Sequence, residues 1–167
     1  MQTICEAAQL KNVVLNNMAL AEKPGTVSIY VYDQDHCGWN TRADRPLQEY
    51  GIDVQPVAVE EVQSTTVDEY CQKNGIEHID LLKVDVEGME YQVLQGARRM
   101  MVGKMIGCCV FEFGQTTFDA GNTPEQIEDY LGGFGYYIRN VVKRDSCFPG
   151  RQSVQEARFS IHVARPR

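Results

Sequence analysis

Asp85, Glu87 and Glu90 place three carboxylates within six residues, and Lys83 stands two residues before the first of them. Carboxylates so spaced can take a proton from a hydroxyl, hold a hard cation, or stabilise the start of a helix. The run Ile79-Asp-Leu-Leu-Lys-Val-Asp85 reads as a strand. In it Lys83 and Asp85 share one face, while Leu82, Val84 and Val86 take the other. Asp85 falls near the carboxyl end, where open α/β sheets bind their ligands. Glu87 and Glu90 follow at the start of a helix, whose N-terminal dipole offsets part of their repulsion. Gly88 permits the tight turn between strand and helix. Glu90 has a second reading, as a plain dipole partner. Lys83 in an apolar strand needs a counter-charge, because an isolated buried ammonium is costly. Glu112, in the apolar run from Met105 to Phe113, supplies one. The Lys83–Glu112 pair reads equally as structural or as part of a pocket.

These residues need elements to hold them. Gly88 to Met101 carries Met89, Val93, Ala97 and Met100 on one helical stripe. Thr66 and Glu69 have capping-box spacing, so a helix is expected from there to Asn74-Gly75. Thr123-Pro-Glu-Gln126 combines an N-cap, a proline at the first helical position and a capping-box glutamine, and that helix should stop at Gly132-Gly133. Strands are expected at Asn12–Asn16, at Thr26–Tyr32 after a Pro24-Gly25 turn, and at Val54–Val62, which Pro56 places at an edge. Asp33 to Gly51 is polar and irregular and holds the only tryptophan, Trp39. Met1 to Leu10 reads as the end of a helix. Tyr136–Val142 and Arg158–Ala164 are two last strands with no helix between them. The centre alternates strand, helix, strand, helix, strand, which is the pattern of a parallel sheet covered by helices, here with an antiparallel ending.

The chain of 167 residues is long enough for one domain with a real core. A net charge of -7 repels phosphate backbones, and the basic residues are scattered, so nucleic acid is not an expected partner. No apolar run approaches the roughly 20 residues that span a bilayer, so no membrane partner is expected. The first residues lack the basic and apolar regions of a signal peptide, and six cysteines without paired spacing read as reduced thiols. A cytoplasmic location and no metal site are the expectation.

The run IDLLKVDVEGMEYQVLQGA, Ile79 to Ala97, resembles the signature of FkbM-type methyltransferases. In that motif a strand ends in lysine, x, aspartate, x, glutamate, glycine. A helix comes next, with a further glutamate and then leucine, x, glycine, alanine. Lys83, Asp85, Glu87, Gly88, Glu90, Leu94, Gly96 and Ala97 fit it. Asn17-Met-Ala-Leu-Ala21 followed by Pro24-Gly25, Thr66-Val-Asp68, and Phe111-Glu-Phe113 extend the likeness over most of the chain. The resemblance implies a Rossmann-like class I methyltransferase sheet. It implies methyl transfer from S-adenosylmethionine, usually to an oxygen, on a small-molecule or glycan acceptor. Asp85 is then the residue near donor and acceptor, contributing to catalysis and to cofactor binding, with Glu87 and Glu90 shaping the pocket mouth.

The family carries a glycine-rich loop after its first strand and an acidic residue after its second, and the likeness here begins after both. The dense glycines Gly132-Gly133-Phe134-Gly135 follow a helix and read as its stop. The expectation is therefore a single partial domain over 1–167 with its N-terminal strands missing. Its cofactor would be S-adenosylmethionine in a complete domain. The strand Ile79–Asp85 is left with an open edge and a tendency to self-associate. An inactive remnant or interaction module of the same fold is the alternative. A metal-dependent glycosyltransferase using Asp85-Val86-Glu87 is a more distant one.

Overall fold

The computed structural model describes residues 8–167. The expected helix at Met1–Leu10 lies mostly outside them, and residues 8–10 form a turn and the start of a loop. Two sheets organise the chain. A three-stranded sheet contains β1 (Ala19–Leu20), β2 (Gly25–Val31) and β3 (Ala58–Thr65), in the order β1-β3-β2. A four-stranded sheet contains β4 (Leu82–Val84), β5 (Cys109–Phe113), β6 (Tyr136–Asn140) and β7 (Ser160–Pro166), in the order β4-β5-β7-β6. Between them in sequence come α1 (Val67–Asn74), α2 (Glu90–Gln95), α3 (Arg98–Val102), α4 (Gln115–Asp119) and α5 (Pro124–Gly133).

The alternation read from the sequence holds along β4. Val84 is buried, whereas Lys83 and Asp85 face outward. β4 pairs in parallel with β5, Val84 opposite Phe111, and a bridge between Ile79 and Ile106 continues the pairing upstream. β7 runs antiparallel to both β5 and β6, which gives the antiparallel ending. Val84, Phe111, Phe113, Val93, Leu94, Met100, Met101, Ile127 and Leu131 form one core beneath this sheet. Each such side chain contributes about 1.5–3 kcal/mol by leaving water.

The caps match the sequence closely. Thr66 accepts from the Glu69 N–H at 2.9 Å, and Gly75 closes α1 in the left-handed region. Thr123 and Gln126 form the full capping box of α5, with Pro124 at its first turn.

Several expectations are corrected. The pairing is mixed, not mostly parallel: β1–β3 and β4–β5 are parallel, and β2–β3, β5–β7 and β6–β7 are antiparallel. Asn12–Asn16 is loop, with Val14 exposed, because it lacks a partner to take its backbone groups. β3 is central in its sheet, since Pro56 lies just outside the strand and removes no ladder bond. The single helix over Gly88–Met101 is two helices. Gly96 sits against Ala21, whose carbonyl oxygen would lie 2.2 Å from a Cβ added there. The Asp68 carboxylate accepts from the N–H groups of Arg99 at 2.6 Å and Met100 at 3.0 Å and so caps α3 separately. β4 has β5 on one side and no strand on the other among the described residues, and Leu81 beside it is 59% exposed.

Candidate functional site

The carboxyl ends of β4 and β5 lie side by side because the two strands are parallel and in register. Asp85 follows β4 and Glu112 is the fourth residue of β5, so their carboxylates meet at one end of the sheet. Glu87 joins them from the turn. Its backbone has φ +50, the left-handed region that costs a non-glycine residue energy and that clusters at functional sites. Gly88 continues the turn at φ +101, and a Cβ there would lie 2.2 Å from the carbonyl oxygen of Thr116. The turn is held from two directions. Thr41 donates its hydroxyl to the Glu87 carbonyl at 2.8 Å, and Asn122 donates to the Gly88 carbonyl at 2.9 Å.

Oxygen atoms of Asp85, Glu87 and Glu112 all lie within 4.8 Å of one another. Such a set can hold a cation, and one is built in. The Lys83 ammonium stands 2.9 Å from Asp85 and 3.6 Å from Glu112. The Lys83–Glu112 pair therefore forms, but its lysine side chain is 43% exposed, not buried as the apolar strand suggested. Partial burial pulls the Lys83 pKa down, yet the two carboxylates outweigh it and hold the ammonium above its usual range. Burial raises the Glu87 carboxyl, and the charge of Glu112 adds to this. Glu112 is likewise raised, by burial first and then by Asp85, with Lys83 opposing. Three carboxylates against one ammonium leave negative charge in excess. The cluster thus favours cationic ligands.

Glu90 stands apart from this group. It is only 2% exposed, and its carboxylate accepts from the backbone N–H of Val86 at 3.2 Å and of Gly88 at 3.3 Å. It ties the strand end to the turn. Burial raises its pKa to about 7.

A cleft of about 360 Å³ opens beside Asp85, between the two sheets. Met18, Leu20, Ile29, Val86 and Met89 give it apolar walls, and Asp85, Asn40 and Arg42 give it polar edges. The segment from Asp33 to Gly51, read from sequence only as irregular, forms part of its wall and reaches the acidic cluster. Arg45 bonds Asp119 at 3.0 Å through an almost fully buried pair, and the Tyr50 hydroxyl donates to the same carboxylate at 2.7 Å. Asp119 ends the short helix after β5, so this network fixes the segment against the carboxyl end of β5. Sequence reasoning missed Thr41, Arg45, Tyr50, Asp119 and Asn122. The only signal was the density of polar residues without a repeating pattern. Among the described residues Asp85, Glu87 and Glu112 are the one group of three side chains placed to share a metal ion.

The family model of the methyltransferase FkbM domain matches residues 3–138 of the chain. No curated protein and no solved structure matches it.

Proposed function

The chain belongs to the FkbM methyltransferase family, and from that premise we propose that it methylates a hydroxyl of a small molecule or glycan, with S-adenosylmethionine as donor, at the carboxyl ends of β4 and β5. The observation that carries this reading is the convergence of Asp85, Glu87 and Glu112 beside an apolar-walled cleft. The four-stranded sheet, with a parallel pair at one edge and an antiparallel return, is read as part of a Rossmann-like methyltransferase sheet.

The residues present fit the donor. Its sulfonium is cationic, and the cluster carries negative charge in excess. The cleft lies within the roughly 300–1,000 Å³ of small-ligand sites and pairs apolar walls with a few polar groups. When bound, S-adenosylmethionine supplies an electrophilic methyl group. Asp85, half-exposed at the cleft mouth, accepts a hydrogen bond from the acceptor hydroxyl and orients it. Glu87, whose carboxyl is raised by burial, takes the hydroxyl proton. Lys83 limits the repulsion among the carboxylates and keeps Asp85 in place. Glu90 holds the turn that aims Glu87.

Asp85→Asn tests the assignment. Its side chain is 51% exposed and supports little of the fold. Methyl transfer should fall by at least about 100-fold, the range of a lost acid–base or orienting group, while the thermal midpoint stays close to wild type. Unchanged turnover removes Asp85 from the site.

A further inference from the structure

We propose that the β6–β7 corner of the sheet docks on an anionic phospholipid surface through Val141, Val142 and Phe159, with Lys143, Arg144 and Arg158 next to them in the chain. β6 ends at Asn140 opposite His162, and the Val141 N–H donates to the Ile161 carbonyl at 2.8 Å. This sets residues 141–143 alongside 159–161. The acidic cluster belongs to β4 and β5, and residues 141–143 follow β6 at the opposite edge of the sheet. Phe159 lies over Gly114, where a Cβ would come within 3.6 Å of its Cα. Val141 is 53% exposed, Val142 55% and Phe159 67%.

The charge of this segment runs against the rest of the chain. Residues 139–159 contain five basic side chains (Arg139, Lys143, Arg144, Arg151, Arg158) and two acidic ones (Asp145, Glu156), in a protein of net charge -7. Arg151 is engaged by Glu125 and Glu128. The other four basic residues form no ion pair among the described residues and are exposed. A groove of about 440 Å³ beside the patch is lined by Arg139 and Lys143 together with Ile138, Asn140, Asp145 and Cys147. Its two cations suit a headgroup phosphate, with Asp145 its one acid.

Exposed apolar side chains with cations next to them match the chemistry of a bilayer interface. The apolar groups enter the acyl boundary and the cations meet lipid phosphates. A bare polyanion offers nothing to Val142 and Phe159, and an apolar protein face offers nothing to Lys143 and Arg144. No helix among the described residues is long and apolar enough to cross a membrane. The expectation of no membrane partner rested on that feature, which bears on crossing and not on surface docking.

The test is sedimentation of the full chain with phosphatidylcholine vesicles, with and without phosphatidylserine. The chain should pellet with the anionic vesicles and lose this as salt rises. Neutralising both cations in Lys143→Ala/Arg144→Ala should lower the partition coefficient about 30-fold, and Phe159→Ser about tenfold. These side chains are exposed, so circular dichroism of both variants should match wild type. Equal partition into neutral and anionic vesicles, no pelleting, or variants that pellet like wild type would each overturn the proposal. Pelleting without lipid that Phe159→Ser abolishes and Leu81→Lys does not would assign the patch to a second copy of the chain and overturn it too. The readout needs neither donor nor acceptor, so its failure leaves the methyltransferase reading untouched.

Discussion

Replacing Glu90 with glutamine should stabilise the protein at alkaline pH and leave it nearly unchanged at acid pH. The Glu90 carboxyl is almost fully buried and titrates at about 7 in the folded chain, against 4.5 as its ordinary value. Between these values the folded state keeps a proton that the unfolded chain releases. The stability contributed by the protonated form is whole below about pH 4.5 and is lost as pH rises through about 7. At about 1.4 kcal/mol per pKa unit, the loss approaches roughly 3 kcal/mol by pH 8. Glutamine keeps the oxygen that accepts from Val86 and Gly88 but carries no charge to bury. His162 works in the opposite sense. Burial against Phe111 and Phe148 holds it near 4, so its contribution is present above about 6.5 and fades as pH falls through 4. The wild-type profile combines both slopes, whereas the difference between variant and wild type cancels His162. Urea unfolding of both proteins from pH 4 to 8 gives that difference, which should grow with pH by roughly 3 kcal/mol. Parallel profiles would show that Glu90 is not held protonated by burial.

Three further outcomes are expected. A double-mutant cycle on Lys83→Met and Glu112→Gln should give a coupling below about 1 kcal/mol, because Lys83 is half in solvent; the roughly 3–5 kcal/mol of a buried pair would contradict the geometry. Gly88→Ala should cost at least about 1 kcal/mol in chemical denaturation, since it puts a methyl group against the Thr116 carbonyl at positive φ; a neutral variant would contradict that close approach. The edge of β4 that no strand covers among the described residues, with exposed Leu81, should make the chain self-associate with rising concentration in light scattering, and Leu81→Lys should reduce this; a monomer at all concentrations would show that the edge is protected.

Glu112 was expected only as a counter-charge to Lys83 from the next apolar strand, and its place beside Asp85 and Glu87 follows from the parallel register of β4 and β5, which no local pattern sets. Lys83 and Asp85 were legible as neighbours on one face because strand alternation is local. Caps at Thr66 and Thr123 were legible for the same reason: the bonding partners lie three residues apart. The features hidden in the sequence depend on contacts between distant segments. The break in the helix at Gly96 exists because Ala21 passes over it and Asp68 caps α3 on its far side. The network of Arg45, Tyr50 and Asp119 joins positions about 70 residues apart, and no local pattern announces it. Glu90 sits in both classes. Its place at a helix start was evident, but its turn inward to the Val86 and Gly88 amides depends on the left-handed backbone of Glu87.

In the function proposed above, the donor lies in the cleft beside Asp85. The direct test is an NMR titration of the isotope-labelled chain with S-adenosylhomocysteine, the demethylated form of the donor, which reports the site even at low affinity. Amide shifts should concentrate at Met18–Leu20, Ile29, Asn40–Arg42, Asp85, Val86 and Met89, the residues that line that cleft, and should shrink in Asp85→Asn. No shifts at any concentration, or shifts confined to another face of the protein, would contradict the account.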